Sequence, residues 1–488
     1  MEGLWYGRLS RHALSLAILA GVIAAALTVL ALANATRADA ASGTISGKKN
    51  GQARNTEADY TPGENFDPLA SSAKCTPVLT DPFLLPEGYA QQVVAQEGDG
   101  GTEDLWDMNT QNEFGKDAGR YVYRTHEIST GAEVSVTDLK EGDTHVLTQR
   151  ADWERFDGIV WTPWDSILTG EEVSDDTLDD PNFPEAKAGL VYEIFVDKND
   201  PSKLDTDNPR DNVAPYDDGI AVRPALGSKS HEGMRFDKQG NYYGIHESDP
   251  GSIYRFVPDR KGDLSEGQLQ ALKTQNHHTG QGVWVNLPDG AARIDAQAAA
   301  NAAGANSYNR PEDVETGEST GRDSNNGGNT LYVAVTGTDE VLAVDLSSKK
   351  HPFAYDYVGH TTHNAPSSES ATGGEFDYPD NLALDGKGNL AITEDPPTNP
   401  VGADIWVAEP PQQGRHHPAA EVARFASLKD CSAEPTGIYF ALKGTERYTE
   451  GTSREDLVNN ESLFVDRQHA GMGTTLDQLV SISPEGTN

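Results

Sequence analysis

The chain has 488 residues, of which 77 are Asp or Glu against 38 Lys or Arg, a formal charge of −39. A field of that sign repels nucleic acid and anionic membrane surfaces and gathers cations, which argues against nucleic-acid binding. With 36% hydrophobic and 24% charged residues, 48 Gly and 27 Pro, the chain reads as a loop-rich soluble protein of one large domain or two or three ordinary ones.

In chain order the first element is a targeting segment. Arg8 and Arg11 precede an apolar run from Ala13 to Ala33, and Ala38-Asp39-Ala40 before Ala41 fits a small-residue cleavage site. Residues 1–40 therefore read as a signal peptide or, uncleaved, as an N-terminal anchor. The expected location is secreted or cell-envelope, with membrane contact only through that segment. Residues 41–65 are small and polar and read as a flexible lead-in, followed by one domain over 66–488. Cys75 and Cys431 are the only cysteines. In an oxidising compartment they can pair, and two buried thiols are the alternative.

Beyond residue 120 the signals are those of short strands, "GRYVYRTHE", "GIVWTPWDSIL", "GLVYEIFV", "NYYGIHE", "TLYVAVTGTDEVLAVDL" and "DIWVAE" among them, separated by Gly, Asn, Asp and Pro. Two stretches look helical, "LSEGQLQALKTQ" and "ARIDAQAAANAAGA". The predicted class is all-β with a few helical insertions. Units beginning at Asp157, Glu232, Glu312, Asp380 and Glu434 share one grammar: acid, short strand, turn, second strand, polar tip, third strand. Their spacing is irregular, as insertions into a repeat would make it.

A β-propeller explains this grammar. The innermost strand of each blade lines the channel, so its first residue sits at one mouth. The second strand is antiparallel and brings its far end back to the same place. Glu171 and Glu172, His246 and Glu247, Glu394 and Asp395, and Gln468 and His469 are then expected at that mouth as well. Converging carboxylates repel one another unless cations compensate, and hard oxygen donors in such number suit Ca²⁺. For a single acid, a turn cap or a backbone hydrogen bond is the plainer reading; the repetition in register favours a shared role. His277-His278 and His416-His417 read as exposed loops. No GxxxxGK[ST] loop is present.

"RTHE" (124–127), "TPWDSILTGEE" (162–172), "HEGMRFD" and "IHES" (231–248), "RPED" (310–313), "YPDNLALDGKGNLAITED" (378–395), "AEPTGIYF" (433–440) and "SLFVDRQHAG" (462–471) together resemble the PhoX-type alkaline phosphatases. The resemblance implies a secreted, six-bladed propeller phosphomonoesterase, with phosphodiesterase activity as an extension, holding calcium and iron at the channel mouth. By motif, Glu127, Glu232 and Glu312 match metal-ligand glutamates, and Glu171 and Glu172 match the acidic pair after Thr-Pro-Trp. Asp157 and Asp380 join them as expected ligands. Phe156-Asp157 stands where the family carries Asn-Cys, so a thiolate is replaced by a hard oxygen donor that favours calcium over iron. No adjacent Arg pair marks the signal segment. Arg235, Arg310, His231 and His246 lie beside these acids and are candidates to bind phosphate or to protonate the leaving group, with support of the ligands or surface pairing as the alternative. The expected partner is a small phosphate ester, with no nucleic acid, and the chain is expected to be a monomer. Two other readings remain open at this point: a calcium-dependent lactonase or arylesterase, and a non-catalytic propeller stabilised by calcium.

Overall fold

The computed structural model describes residues 66–485 except 77–79, 114–116, 176–177, 179, 182, 209–217, 317–328, 349, 360–375, 398–400, 412–414, 443–457 and 469–475. Residues 1–40 and 41–65, expected as a signal segment and a lead-in, and His469 lie outside the described residues.

The fold is all-β and propeller-like, built from antiparallel meanders. The first holds Trp106–Gln111, Tyr121–His126, Glu133–Asp138 and Asp143–Gln149. The next holds Phe156–Trp161, Ser166–Glu171, Val191–Asp197 and Asp200–Leu204. Meanders opening with Met234–Phe236 and Pro311–Thr316 are joined at their outer edges, where Thr279–Asn286 pairs with Phe353–Gly359. A further meander opens with Pro379–Leu384. The last opens with Glu434–Leu442 and is completed by Tyr89–Gln96, which pairs with Gln478–Pro484.

The innermost strands adjoin in a closed cycle: Trp106–Gln111, Phe156–Trp161, Met234–Phe236, Pro311–Thr316, Pro379–Leu384, Glu434–Leu442 and back to the first. Apolar residues fill the spaces between successive sheets. Tyr332, Ala334, Val341 and Ala343 of one pack against Leu382, Leu390, Ile392 and Trp406 of the next. This is the two-faced burial that strands inside a propeller require, and it accounts for their near-continuous apolar runs. A Cys75–Cys431 disulfide ties the start of the described chain to the loop before the last inner strand.

One expected helix is absent. "LSEGQLQALKTQ" forms the strand Gly267–Asn276, paired on both sides with Ile253–Pro258 and Thr279–Asn286. Leu269 and Ala271 are buried while Gln268 and Gln270 are only half-buried, so the period is two rather than 3.6. Sheet pairing on both edges outweighs the helical propensity of the segment. The second stretch is helical over Asp289–Ile294 and Ala296–Ala303. Asp295 caps the latter by accepting the Ala298 N–H, and Gly304, at φ 68°, ends it.

Candidate metal centre

Four inner strands carry an acid at their second residue: Asp107, Asp157, Glu312 and Asp380. Each acid lies in a β-bulge. Trp106 pairs with His126 and Asn109 with Arg124, so three steps on the inner strand span two on its neighbour. The same offset separates Phe156 from Ile159, Pro311 from Val314 and Pro379 from Leu382. A bulge bends its strand and re-aims the extra side chain, here towards the channel axis. The residue two before each acid has a left-handed backbone: Leu105 (φ 57°), Arg155 (φ 42°), Arg310 (φ 50°) and Tyr378 (φ 49°). The conformation is costly for non-glycine residues, and it recurs around one mouth.

The second strands return to the same place. Glu127, Glu172 and Asp395, each one residue beyond the end of a second strand, donate their backbone N–H to the carbonyls of Leu105, Arg155 and Tyr378 at 2.9, 2.8 and 3.0 Å. Glu247 donates equivalently to Ser230 at 3.2 Å, and Thr336 takes the place in the Arg310 unit at 2.9 Å. One hydrogen bond thus closes every one of these hairpins.

The result is a funnel of about 200 Å³ lined by nine carboxylates, those of Asp107, Glu127, Asp157, Glu172, Glu232, Glu312, Asp380, Asp395 and Glu434, with Arg155, Arg310, Thr436 and Gln468. Ligand oxygens of Glu232, Glu312 and Asp380 lie within 4.8 Å of one another. Burial, and then the neighbouring acids, hold the carboxyls of Asp157, Glu232 and Asp380 well above the usual range. Burial pushes Glu312 up to about 7. Asp157 Oδ1, Glu232 Oε2 and Gln468 Oε1 are buried without a hydrogen-bond partner. Buried polar atoms are otherwise almost always satisfied, so these oxygens, all hard donors facing one space, fit a divalent cation and suit calcium better than a thiolate-seeking metal.

Of the residues expected from sequence, Glu127, Asp157, Glu172, Glu232, Glu312, Asp380 and Arg310 line this funnel. Arg310 donates to Glu247 at 2.8 Å, lies 2.8 Å from Glu312 Oε1, and reaches Asp395 at 3.5 Å. Glu171, Arg235, His231 and His246 are not in the lining. The two oxygens of Glu171 accept the backbone N–H groups of Glu154 and Leu190. Arg235 is buried and donates to Glu315 and to the Met234 carbonyl. His231 accepts from Lys229 at 2.8 Å and donates to the Gly227 carbonyl at 3.0 Å, and burial holds its pKa well below the ordinary value. His246 accepts the Ser230 N–H, and burial lowers it to about 4. These four hold the scaffold beneath the mouth.

Sequence reasoning passed over Asp107 and Arg155. Asp107 had a signal: Trp106-Asp107 has the same form, a bulky or cyclic residue and then an acid, as Phe156-Asp157, Pro311-Glu312 and Pro379-Asp380. Arg155 had one too, since Arg155-Phe156-Asp157 repeats the form of Arg310-Pro311-Glu312.

A family profile described as alkaline phosphatase PhoX matches residues 160–471. Among solved structures, PhoX from Pseudomonas fluorescens, in complex with vanadate as a transition-state analogue, is 17% identical with a TM-score of 0.55, covering 85% of this chain and 98% of that one. The soluble aldose sugar dehydrogenase of Escherichia coli is 12% identical at a TM-score of 0.40, covering 81% of this chain and 100% of that one. A protein described as a putative gluconolactonase is 10% identical at 0.41, covering 85% and 98%. No curated protein matches the sequence.

Proposed function

This chain belongs to the alkaline phosphatase PhoX family and is a phosphatase of that type; from that premise we propose that it hydrolyses small phosphate monoesters outside the cytoplasm, in a calcium-dependent reaction at the acidic funnel. The observation that carries the reading is the set of buried carboxylates around one space, some of whose oxygens have no partner. A dianionic substrate would be repelled by such a surface unless cations inverted its field. Glu232, Glu312 and Asp380 are the residues to hold an ion, with Asp157 beside them. When bound, calcium supplies the positive charge that binds phosphoryl oxygens and lowers the pKa of a coordinated water.

The chain's own groups do the rest. Arg310 is half-exposed and fixed on three carboxylates, so its guanidinium meets the phosphate already oriented, and it binds planar oxygen pairs in a way a lysine cannot. The bulges fix the carboxylates in a geometry set before ions or substrate arrive, which is what electrostatic catalysis requires. His231 and His246 are engaged beneath the mouth and take no part in proton transfer. The Cys75–Cys431 bridge supports an oxidising, extracytoplasmic location.

The test pairs elemental analysis of the mature protein with hydrolysis of p-nitrophenyl phosphate and of bis-(p-nitrophenyl) phosphate, before and after chelation and calcium readdition. Monoester turnover that is lost to chelator and restored by calcium is the expected result. Turnover of lactones with none of either phosphate ester would overturn the reading.

A further inference from the structure

Arg155 occupies a place in its repeat equivalent to that of Arg310, two residues before the inner-strand acid, yet its contacts differ. Its Nη2 bridges two carboxylates of the neighbouring hairpin ends, contacting Glu127 Oε1 and lying 2.7 Å from Glu172 Oε2. The second oxygen of Glu127 accepts from Gln468 Nε2 at 3.2 Å. The backbone holds the arginine from both sides. Its N–H donates to Ile128 O, next to Glu127, and its carbonyl accepts the Glu172 N–H, each at 2.8 Å. The partnerless carboxylate oxygens of the funnel, on Asp157 and Glu232, belong to neither of the acids that Arg155 holds.

We propose that Arg155 is a fixed cation of the centre: it holds Glu127 and Glu172 in place of a metal ion, so that divalent ions collect only around Asp157, Glu232, Glu312 and Asp380. This rests on the reading of the funnel as a metal centre. The chemistry is one of charge and shape. A guanidinium carries one charge on a planar fork that two carboxylates can share, and it satisfies Glu127 and Glu172 without dehydrating an ion. The two acids that motif comparison would assign to metal are thereby withdrawn from the ligand set. The funnel becomes asymmetric, with an organic cation on one side and inorganic cations on the other.

The test counts ions and needs no substrate. Mature wild type, Arg155→Ala and Glu172→Gln are stripped with chelator and titrated with calcium alone by calorimetry, and bound calcium is counted by elemental analysis after dialysis. The proposal expects Arg155→Ala to bind at least one more calcium per chain than wild type, because two carboxylates are released. It expects Glu172→Gln to keep the wild-type count. Equal counts in Arg155→Ala and wild type, or one ion fewer in Glu172→Gln, overturn it while leaving the metal centre standing. A wild type that binds no calcium overturns the metal centre itself and this inference with it. Should Arg155→Ala fail to fold by circular dichroism, the Glu172→Gln count decides alone.

Discussion

At the scale of single residues, neighbouring polar positions divide their labour by one step of backbone. In His126-Glu127, Glu171-Glu172 and Glu394-Asp395 the first residue is turned into the sheet and the second lines the funnel. Glu394 accepts from Trp406 Nε1 and from the Asp377 and Asp404 N–H groups, while His126 is held by Glu103, Asp104 and Ser135. Glu312→Gln, which removes one charge from the clustered acids, is expected to lower phosphatase kcat by more than about 100-fold, the upper range for groups that only support a ligand, with an unchanged circular dichroism spectrum. Protonation makes a second prediction. Glu312, Asp157, Glu232 and Asp380 all have folded pKa values raised above their ordinary ones, Glu312 to about 7. Their favourable contribution is complete below the unfolded carboxylate pKa and is lost as pH rises through the folded value. The chelated protein should therefore melt at a lower temperature at pH 8 than at pH 5.5. Added calcium should raise the melting temperature more at pH 8, as thermal scans at both pH values would register. Asp157, Glu312, Asp380 and Glu434 were legible in the sequence as acids that open their units, while Asp107 was passed over. Which member of an acidic doublet faces the axis was not legible, because a one-residue change of register exchanges the two faces and no local pattern sets it. His231 and His246 misled for a related reason: a histidine beside a ligand looks the same in sequence whether it faces substrate or, as here, the interior.

At the scale of elements, the bulge recurs, and small residues let bulged strands approach one another. A Cβ on Gly158, the residue after Asp157, would lie 1.7 Å from the carbonyl oxygen of Glu232, two residues before the adjoining inner strand. Gly158→Ala must therefore push two ligand-bearing segments apart. Lower thermal stability together with weaker calcium binding is expected by scanning calorimetry and titration; a loss of stability with calcium affinity intact would separate the bulges from the metal centre. Thr125 shows how a bulge is kept in register, since its hydroxyl accepts the Met108 N–H and donates to the Asp157 carbonyl at 2.6 Å. The succession of short strands was readable from runs of strand-forming residues separated by turn residues. The strand Gly267–Asn276 was not, because its partners on both edges come from other parts of the chain, and a bulge depends on the pairing partner as much as on its own residues.

At the scale of the whole molecule, the ring is closed twice, once by the pairing of Tyr89–Gln96 with Gln478–Pro484 and once by the Cys75–Cys431 bridge. Replacing both cysteines by serine is expected to cost about 2–5 kcal/mol of unfolding free energy, as for other native bridges across long loops, measured by denaturant titration with and without calcium. The pair was visible in the sequence, but its bonding was undecided until the fold brought the two ends together.

The seam also fixes an order of events. Asp107 comes from the first sheet, and Glu434 and Gln468 from the last, yet all three face the same funnel. That set is complete only once Gln478–Pro484 has paired with Tyr89–Gln96. The funnel is accordingly formed only when the ring closes, and any ions it takes are those of the medium in which that closure occurs.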